Sequence, residues 1–275
     1  MSVLLPSDNI NFLCMITRSF FIVLLALIKV LYIVWNRSDD KDKDRIIIED
    51  IHNLLRCELN SVSSAIFQSS FIKKSEKSKG FRKCMSFIDN NNKSSESCLP
   101  ELTRPCLESL IRSAKVIRMP LSMAEDFWKT DPDVNVIHFV RDPRGMMLSR
   151  YALHHYKNLS HEAERTCKLM SFNHDYASKY AQEKPQRFIE LKYEDLVLHT
   201  TAFVERLYNF LGLKVPDSLL QWLEVNMNTN DTSTYGTKRL SMQTAFKWKT
   251  SITPDEKGKI DNACSSALTK LGYTL

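Results

Sequence analysis

An α/β fold, with helices laid against a parallel sheet, is what this sequence predicts, and three observations carry that reading. Short apolar runs alternate with stretches of helical periodicity through residues 114–211. The run VNVIHFV at 134–140 is nearly continuous in apolar character, as expected of a parallel strand buried on both faces. It ends in RDPRG and passes straight into a helical pattern, and ligand sites of open α/β sheets are built at such strand ends.

Taken in order, the chain begins with an N-terminal segment, 1–45, that holds the run SFFIVLLALIKVLYIVW at 19–35, whose only non-apolar members are Ser19 and Lys29. Its length approaches the roughly 20 residues that cross a bilayer, although Lys29 near the middle is costly there. Arg18 precedes the run, and Arg37, Lys41 and Lys43 follow it among aspartates, so the charges do not fix an orientation. A signal anchor is the expectation and a buried helix of the soluble core the alternative; no convincing small-x-small cleavage site follows.

Residues 46–275 read as one domain. Ile47, Ile48, Ile51, Leu54 and Leu55 fall at helical spacing within 46–59, an amphipathic helix ending near Cys57. Residues 68–100 are rich in Ser, Lys and Asn and read as a long surface excursion that Cys84 and Cys98 could tie down. A helix at 103–113 then precedes a strand, AKVIRM, at 114–119. A helix around 122–130 leads to the strand at 134–140, and another follows RDPRG over 145–156. A long helical pattern spans 161–182 and exits at Pro185, RFIELKY at 187–193 is the third strand, and a helix near 198–211 stops at Gly212. Residues 226–250 are polar and irregular. A last amphipathic helix covers 254–270, with Pro254 in its first turn and Gly272 just past its end. No internal repeat points to a solenoid.

The 275 residues, 43% hydrophobic and 25% charged, suffice for a substantial core and argue against a disordered chain. The net charge of +6 suits an anionic substrate. No zinc-finger spacing, basic helix or basic run interleaved with aromatics is present, so nucleic acid is not an expected partner. Six of the seven cysteines lie beyond residue 50, with no C-x-x-C pair among them; they read as bridges of an oxidising compartment or as buried thiols, and not as a metal knuckle. Sequons at Asn36, Asn92, Asn158 and Asn230 agree with a lumenal chain without establishing one.

The densest local chemistry is VIHFVRDPRGMMLSRYAL at 136–153. The strand delivers Arg141 to its C-terminal edge, where a guanidinium can grip a phosphate bidentately, and Ser149 adds a hydroxyl further along the helix. Asp142 either fixes the loop or pairs with a neighbouring arginine. The competing reading is an ordinary strand-to-helix turn laced by ion pairs.

With these residues in view, the sequence resembles the Golgi carbohydrate sulfotransferases that modify galactose, N-acetylgalactosamine or N-acetylglucosamine. Their 3′-phosphate motif is similar to VIHFVRDPRGMMLSR, with Arg141 and Ser149 in the matching positions. The likeness continues through CLESLIRSAKVIRMP at 106–120, through LKYEDLVLHTTAFVERLYNFLGL at 191–213, and through TYGTKRLSMQTAFKWKT with Arg239 and Trp248. It closes on Cys264 and LGY at 271–273, covering about residues 46–275.

The resemblance implies a P-loop-NTPase-like sulfotransferase fold, with its completeness at the N-terminus left open, and 3′-phosphoadenosine-5′-phosphosulfate as donor. A sugar hydroxyl of a glycan or glycoprotein, often the 6-hydroxyl, is the implied acceptor, no metal is required, and the expected place is a Golgi membrane with a lumenal domain. Arg141 and Ser149 would hold the 3′-phosphate, and Arg239 would lie near the nucleotide.

One stretch departs from the family. Its loop for the 5′-phosphosulfate, close to RTGSSF, uses glycine and hydroxyl residues so that backbone N–H groups converge on the anion. Here FLCMITRSFF at 12–21 offers only Thr17, Arg18 and Ser19, without the glycine or second serine. Arg18 is thus the weakest of the candidate nucleotide contacts, and 12–35 reads either as an anchor or as a remnant of the donor loop. The general base is unassigned. The alternative to an enzyme is a catalytically inactive relative that binds nucleotide or a partner. A P-loop kinase is disfavoured because no GxxxxGK pattern is present.

Overall fold

The structure, a computed structural model, describes residues 12–18, 33–34, 41–67, 78–88, 95–109, 111–117, 119–152, 158–228 and 241–274. Strands β1 (Phe12–Arg18) and β2 (Ile33–Val34) are followed by helices α1 (Lys41–Arg56), α2 (Ser64–Phe67), α3 (Lys79–Ile88) and α4 (Pro100–Leu107). Then come β3 (Ile111–Ile117), α5 (Ala124–Thr130), β4 (Asn135–Val140), α6 (Pro143–Ala152), α7 (Leu159–Glu183) and β5 (Phe188–Lys192). The remaining helices are α8 (Tyr193–Leu198), α9 (Thr200–Leu211), α10 (Asp217–Met227), α11 (Ser241–Phe246), α12 (Trp248–Ser251) and α13 (Pro254–Lys270).

The five strands form one sheet in the order β2-β3-β1-β4-β5. β4 runs parallel to β5, as the sequence predicts, and β2 runs parallel to β3. β1 lies between them and is antiparallel to both neighbours, which makes the sheet mixed. Strand pleating sends alternate residues to opposite faces. Ile137 and Phe139 of β4, with Ile189 and Leu191 of β5, pack under α8, α9, α10 and α11. Val136 and Phe188 point the other way, into a cluster with Ile51 and Leu55 of α1, Phe127 of α5 and Tyr180 of α7. Beyond them Val140 joins Met146, Met147, Cys167, Ile260 and Cys264, where α6, α7 and α13 meet.

Helix boundaries follow local chemistry. Asn158 starts α7 by accepting a hydrogen bond from the His161 amide, and Thr253 with Glu256 forms a full capping box at α13. Gly212 closes α9 in the left-handed conformation, φ 64°, which a side chain would resist. The helix expected at 103–113 ends instead at Leu107, because residues 111–113 pair with β1 and extended pairing overrides helical spacing. The helix expected near 198–211 is α9, and the short α8 precedes it, divided from it at His199, whose φ of −134° is not helical. α10 was not expected from the sequence, α11 and α12 occupy part of the stretch expected to be irregular, and α3 occupies part of the expected surface excursion.

All six cysteines beyond residue 50 pair: Cys57 with Cys106, Cys84 with Cys98, and Cys167 with Cys264. The bridge from Cys84 to Cys98 ties the excursion down as expected. Cys57 ends α1 with a left-handed backbone, φ 63°, and its bridge to α4 holds it there.

The candidate membrane run at 19–35 falls largely outside the described residues. Residues 19–32 and 35 lie outside the described residues, but Ile33 and Val34 form β2, and the chain just before the run forms β1 of the same sheet. Among the described residues no helix is long and apolar enough to cross a membrane.

Candidate functional site

The site is built where β4 ends. Arg141 is almost fully buried, 2% exposed, at the C-terminal edge of that strand. One of its terminal nitrogens donates to the Thr244 carbonyl of α11 at 2.8 Å, and its guanidinium lies over the Tyr193 ring, 4.9 Å from the centroid. Tyr193 in turn packs edge-on against Phe139, so the arginine rests on an aromatic floor rooted in the sheet.

The helix that follows carries the rest of the local motif. A Cβ on Gly145 would stand 3.3 Å from the Arg141 Nη2 and only 2.8 Å from Trp248 Cδ1, so this position needs a glycine for close approach. Ser149 lies four residues beyond Gly145 and therefore on the same face of α6, one turn further along. Arg141, Gly145 and Ser149 thus form one row, with Ser149 half-buried.

Asp142 and Arg144 brace the loop. The Asp142 carboxylate accepts three hydrogen bonds from Arg144: its amide at 2.9 Å, Nε at 3.0 Å and Nη2 at 2.8 Å. This buried bidentate pair is the arginine partnership that the sequence left open for Asp142. Arg144 also stacks on Trp248, 4.3 Å from the ring centroid, and donates to the Thr274 carbonyl at 2.8 Å. Trp248 is therefore a wall of this loop.

Glu194 lies beneath the loop. Its Oε1 accepts from the Asp142 amide at 3.0 Å, and its Oε2 from the Tyr273 hydroxyl at 2.8 Å. Burial pushes its pKa upward, while those two hydrogen bonds and the Arg141 charge act against the rise. Burial and the Glu194 carboxylate push the Tyr273 phenol far above its ordinary range, so Tyr273 stays a donor. With both oxygens engaged inside the protein, Glu194 is placed to hold backbone rather than to take a proton from a substrate.

Of the other sequence candidates, Arg239 lies outside the described residues, although α11, which starts two residues later, reaches Arg141 through Thr244. Arg18 is placed away from the site. In the pairing of β1 its Cα partner is Ile111 at the start of β3, while Phe12 partners Phe139 near the end of β4. Six residues of strand, roughly 20 Å, separate Arg18 from the end that carries Arg141. A donor loop needs its strand to point toward the nucleotide, and an antiparallel β1 points the other way. The sequence missed Glu194, Tyr273 and the Thr244 carbonyl as parts of the site. The signal for two of them was the YEDL stretch and the closing LGY, whose spacing along the chain says nothing of their meeting. No group of three or more His, Cys, Asp or Glu side chains among the described residues could hold a metal ion.

The chain matches the family of the Sulfotransferase domain over residues 112–272. Among curated proteins, carbohydrate sulfotransferase 1 of Rattus norvegicus and of Homo sapiens are each 27% identical to it over 191 residues, covering 62% of this chain and 46% of theirs. Carbohydrate sulfotransferase 4 of Mus musculus is 28% identical over 170 residues, covering 52% of this chain and 43% of its own. The chain thus spans about half the length of the curated relatives it matches. Among solved structures, the sulfotransferase domain from the curacin biosynthetic pathway superposes with a TM-score of 0.43 at 16% identity, over 72% of this chain and 80% of that one. The family match alone takes in more than half of the chain and encloses β4, the Arg141 loop, Glu194 and Tyr193, and on that ground the chain belongs to the sulfotransferase-domain family.

Proposed function

We propose that this chain transfers a sulfuryl group from 3′-phosphoadenosine-5′-phosphosulfate to a sugar hydroxyl of a glycan or glycoprotein, the 6-hydroxyl being the position its resemblance implies. The observation that carries the reading is the row of Arg141, Gly145 and Ser149 at the end of a buried strand. A guanidinium beside Gly145 and a hydroxyl one turn further along the helix that follows suit a phosphate ester. Arg141 and Ser149 hold the donor's 3′-phosphate in this reading, and Arg239 approaches the nucleotide from the segment before α11.

In the transfer, the acceptor oxygen bonds to sulfur while the bond from sulfur to the bridging phosphate oxygen breaks. 3′,5′-adenosine bisphosphate leaves with that electron pair, and a base takes the acceptor proton. This chain's residues bind and orient the nucleotide half of the donor; the reaction itself calls for no metal. Three disulfides favour an oxidising compartment, which supports a lumenal setting such as the Golgi, and the exposed sequon at Asn158 is compatible with a glycoprotein.

A second reading, nucleotide binding without turnover, is favoured by the position of Arg18 at the end of the central strand remote from Arg141. The test is transfer from donor carrying a radioactive sulfuryl group to galactose- and N-acetylglucosamine-terminated glycans. Labelled glycan that disappears in Arg141→Ala supports the enzyme. Saturable nucleotide binding with no labelled product supports the second reading.

A further inference from the structure

The residues around the Arg141 loop come from three separate places in the chain, and the last of them is the C-terminal turn. After α13, Gly272 adopts φ 70° and the Tyr273 amide bonds back to the Leu268 carbonyl at 2.8 Å, a left-handed reversal that folds residues 271–274 over the ends of the strands. Three polar links then tie this turn to the site. The Lys192 ammonium donates to the Leu271 carbonyl at 2.6 Å, Arg144 donates to the Thr274 carbonyl at 2.8 Å, and Tyr273 donates to Glu194 at 2.8 Å. The second oxygen of Glu194 holds the Asp142 amide, the backbone group immediately after Arg141. α13 cannot drift away from this arrangement, since Cys264 is bonded to Cys167 of α7.

We propose that Tyr273 and Glu194 are positioning residues of the 3′-phosphate site: the hydroxyl orients the carboxylate, the carboxylate fixes the Asp142 amide, and the amide sets where the Arg141 guanidinium stands. The proposal rests on the reading of Arg141 as the 3′-phosphate contact. A guanidinium recognises phosphate bidentately only when its plane is held, and a misplacement of about 1 Å at such a site is costly. Arg141 is held on one side by the Tyr193 ring and the Thr244 carbonyl. The backbone that carries it is held by Glu194. Both of Glu194's oxygens are already used within the protein.

The test compares two nucleotides that differ in one group, 3′,5′-adenosine bisphosphate and 5′-adenosine monophosphate, titrated calorimetrically into the full chain. Tyr273→Phe removes one hydroxyl and leaves the ring in place. It is expected to weaken the bisphosphate by about tenfold, the size of a lost hydrogen bond to a charged group, and to leave the monophosphate unchanged. Glu194→Ala should weaken the bisphosphate further. Glu194→Gln, which keeps an oxygen to accept from Asp142, should recover part of the loss. If both nucleotides weaken in parallel, or if the bisphosphate stays within about twofold of wild type in both Tyr273→Phe and Glu194→Ala, the positioning role is wrong. Arg141→Ala separates the two levels: should it leave the preference for the bisphosphate intact, the 3′-phosphate reading fails and this proposal with it. Should Glu194→Ala not fold, Tyr273→Phe decides alone.

Discussion

Gly145 is the residue on which the geometry of the site turns most sharply. Trp248 and Arg141 both occupy the space a side chain would need, and Trp248 is itself buried beneath the Arg144 guanidinium. Gly145→Ala is expected to lower stability by about 1–3 kcal/mol through overpacking, read from the denaturant midpoint, and to weaken 3′,5′-adenosine bisphosphate because Arg141 must move. A second residue, Glu190, governs acid stability. Burial alone would raise its pKa, but the hydrogen bond from His138 at 2.9 Å and the charges of His138, His174 and Lys192 outweigh burial and hold it below the ordinary 4.5. A carboxylate with a depressed folded pKa contributes stability that is complete above its unfolded value and is lost as pH falls through the folded one. The thermal midpoint should therefore drop as pH falls below 4.5, and Glu190→Gln should start lower at pH 7 and show a flatter acid limb. An acid limb equally steep in Glu190→Gln would contradict this.

At the scale of elements, α7 and α13 form the platform for the Arg141 loop. Met170, Cys167 and Ala163 of α7 meet Ile260, Cys264 and Leu268 of α13, and the disulfide joins the two helices across a sequence separation of 97. Chain-entropy reasoning gives a closed loop of about that length some 4–5 kcal/mol, and loss of a native bridge of this kind commonly costs about 2–5 kcal/mol. The double replacement Cys167→Ala with Cys264→Ala should lower the thermal midpoint accordingly, and it should also release the C-terminal turn and weaken nucleotide binding. A lowered midpoint with undiminished binding would show that the turn is held without the bridge.

Which elements the sequence revealed follows from what each signal contains. β4, β5, α7 and α13 carry apolar periodicity, a capping residue or a terminal glycine, and they fall within a few residues of where the sequence puts them. β1 does not, because a short apolar run reads alike as buried strand or helix, and Phe12–Arg18 adjoins a still longer apolar run. The antiparallel direction of β1 is a matter of which strands flank it, which no local pattern records.

For the whole molecule, the divide lies between contacts near in sequence and contacts distant in it. Arg141 and Ser149 are eight positions apart on one strand–loop–helix unit, so that they share this unit is legible from spacing. Asp142 meets Glu194 across 52 residues and Arg141 meets Thr244 across 103, so these parts of the site exist only once the sheet, α8 and α11 have assembled. The same assembly places Arg18 at the end of the central strand remote from Arg141, which is why binding and turnover are separate questions for this chain.

The central claim, that Arg141 anchors a nucleotide 3′-phosphate, is tested most directly by calorimetric titration of the full chain with 3′,5′-adenosine bisphosphate, wild type against Arg141→Ala. The account predicts saturable binding to the wild type and its loss in the variant, with the fold of both verified by circular dichroism. No binding to a folded wild type, or equal binding to both proteins, would contradict it.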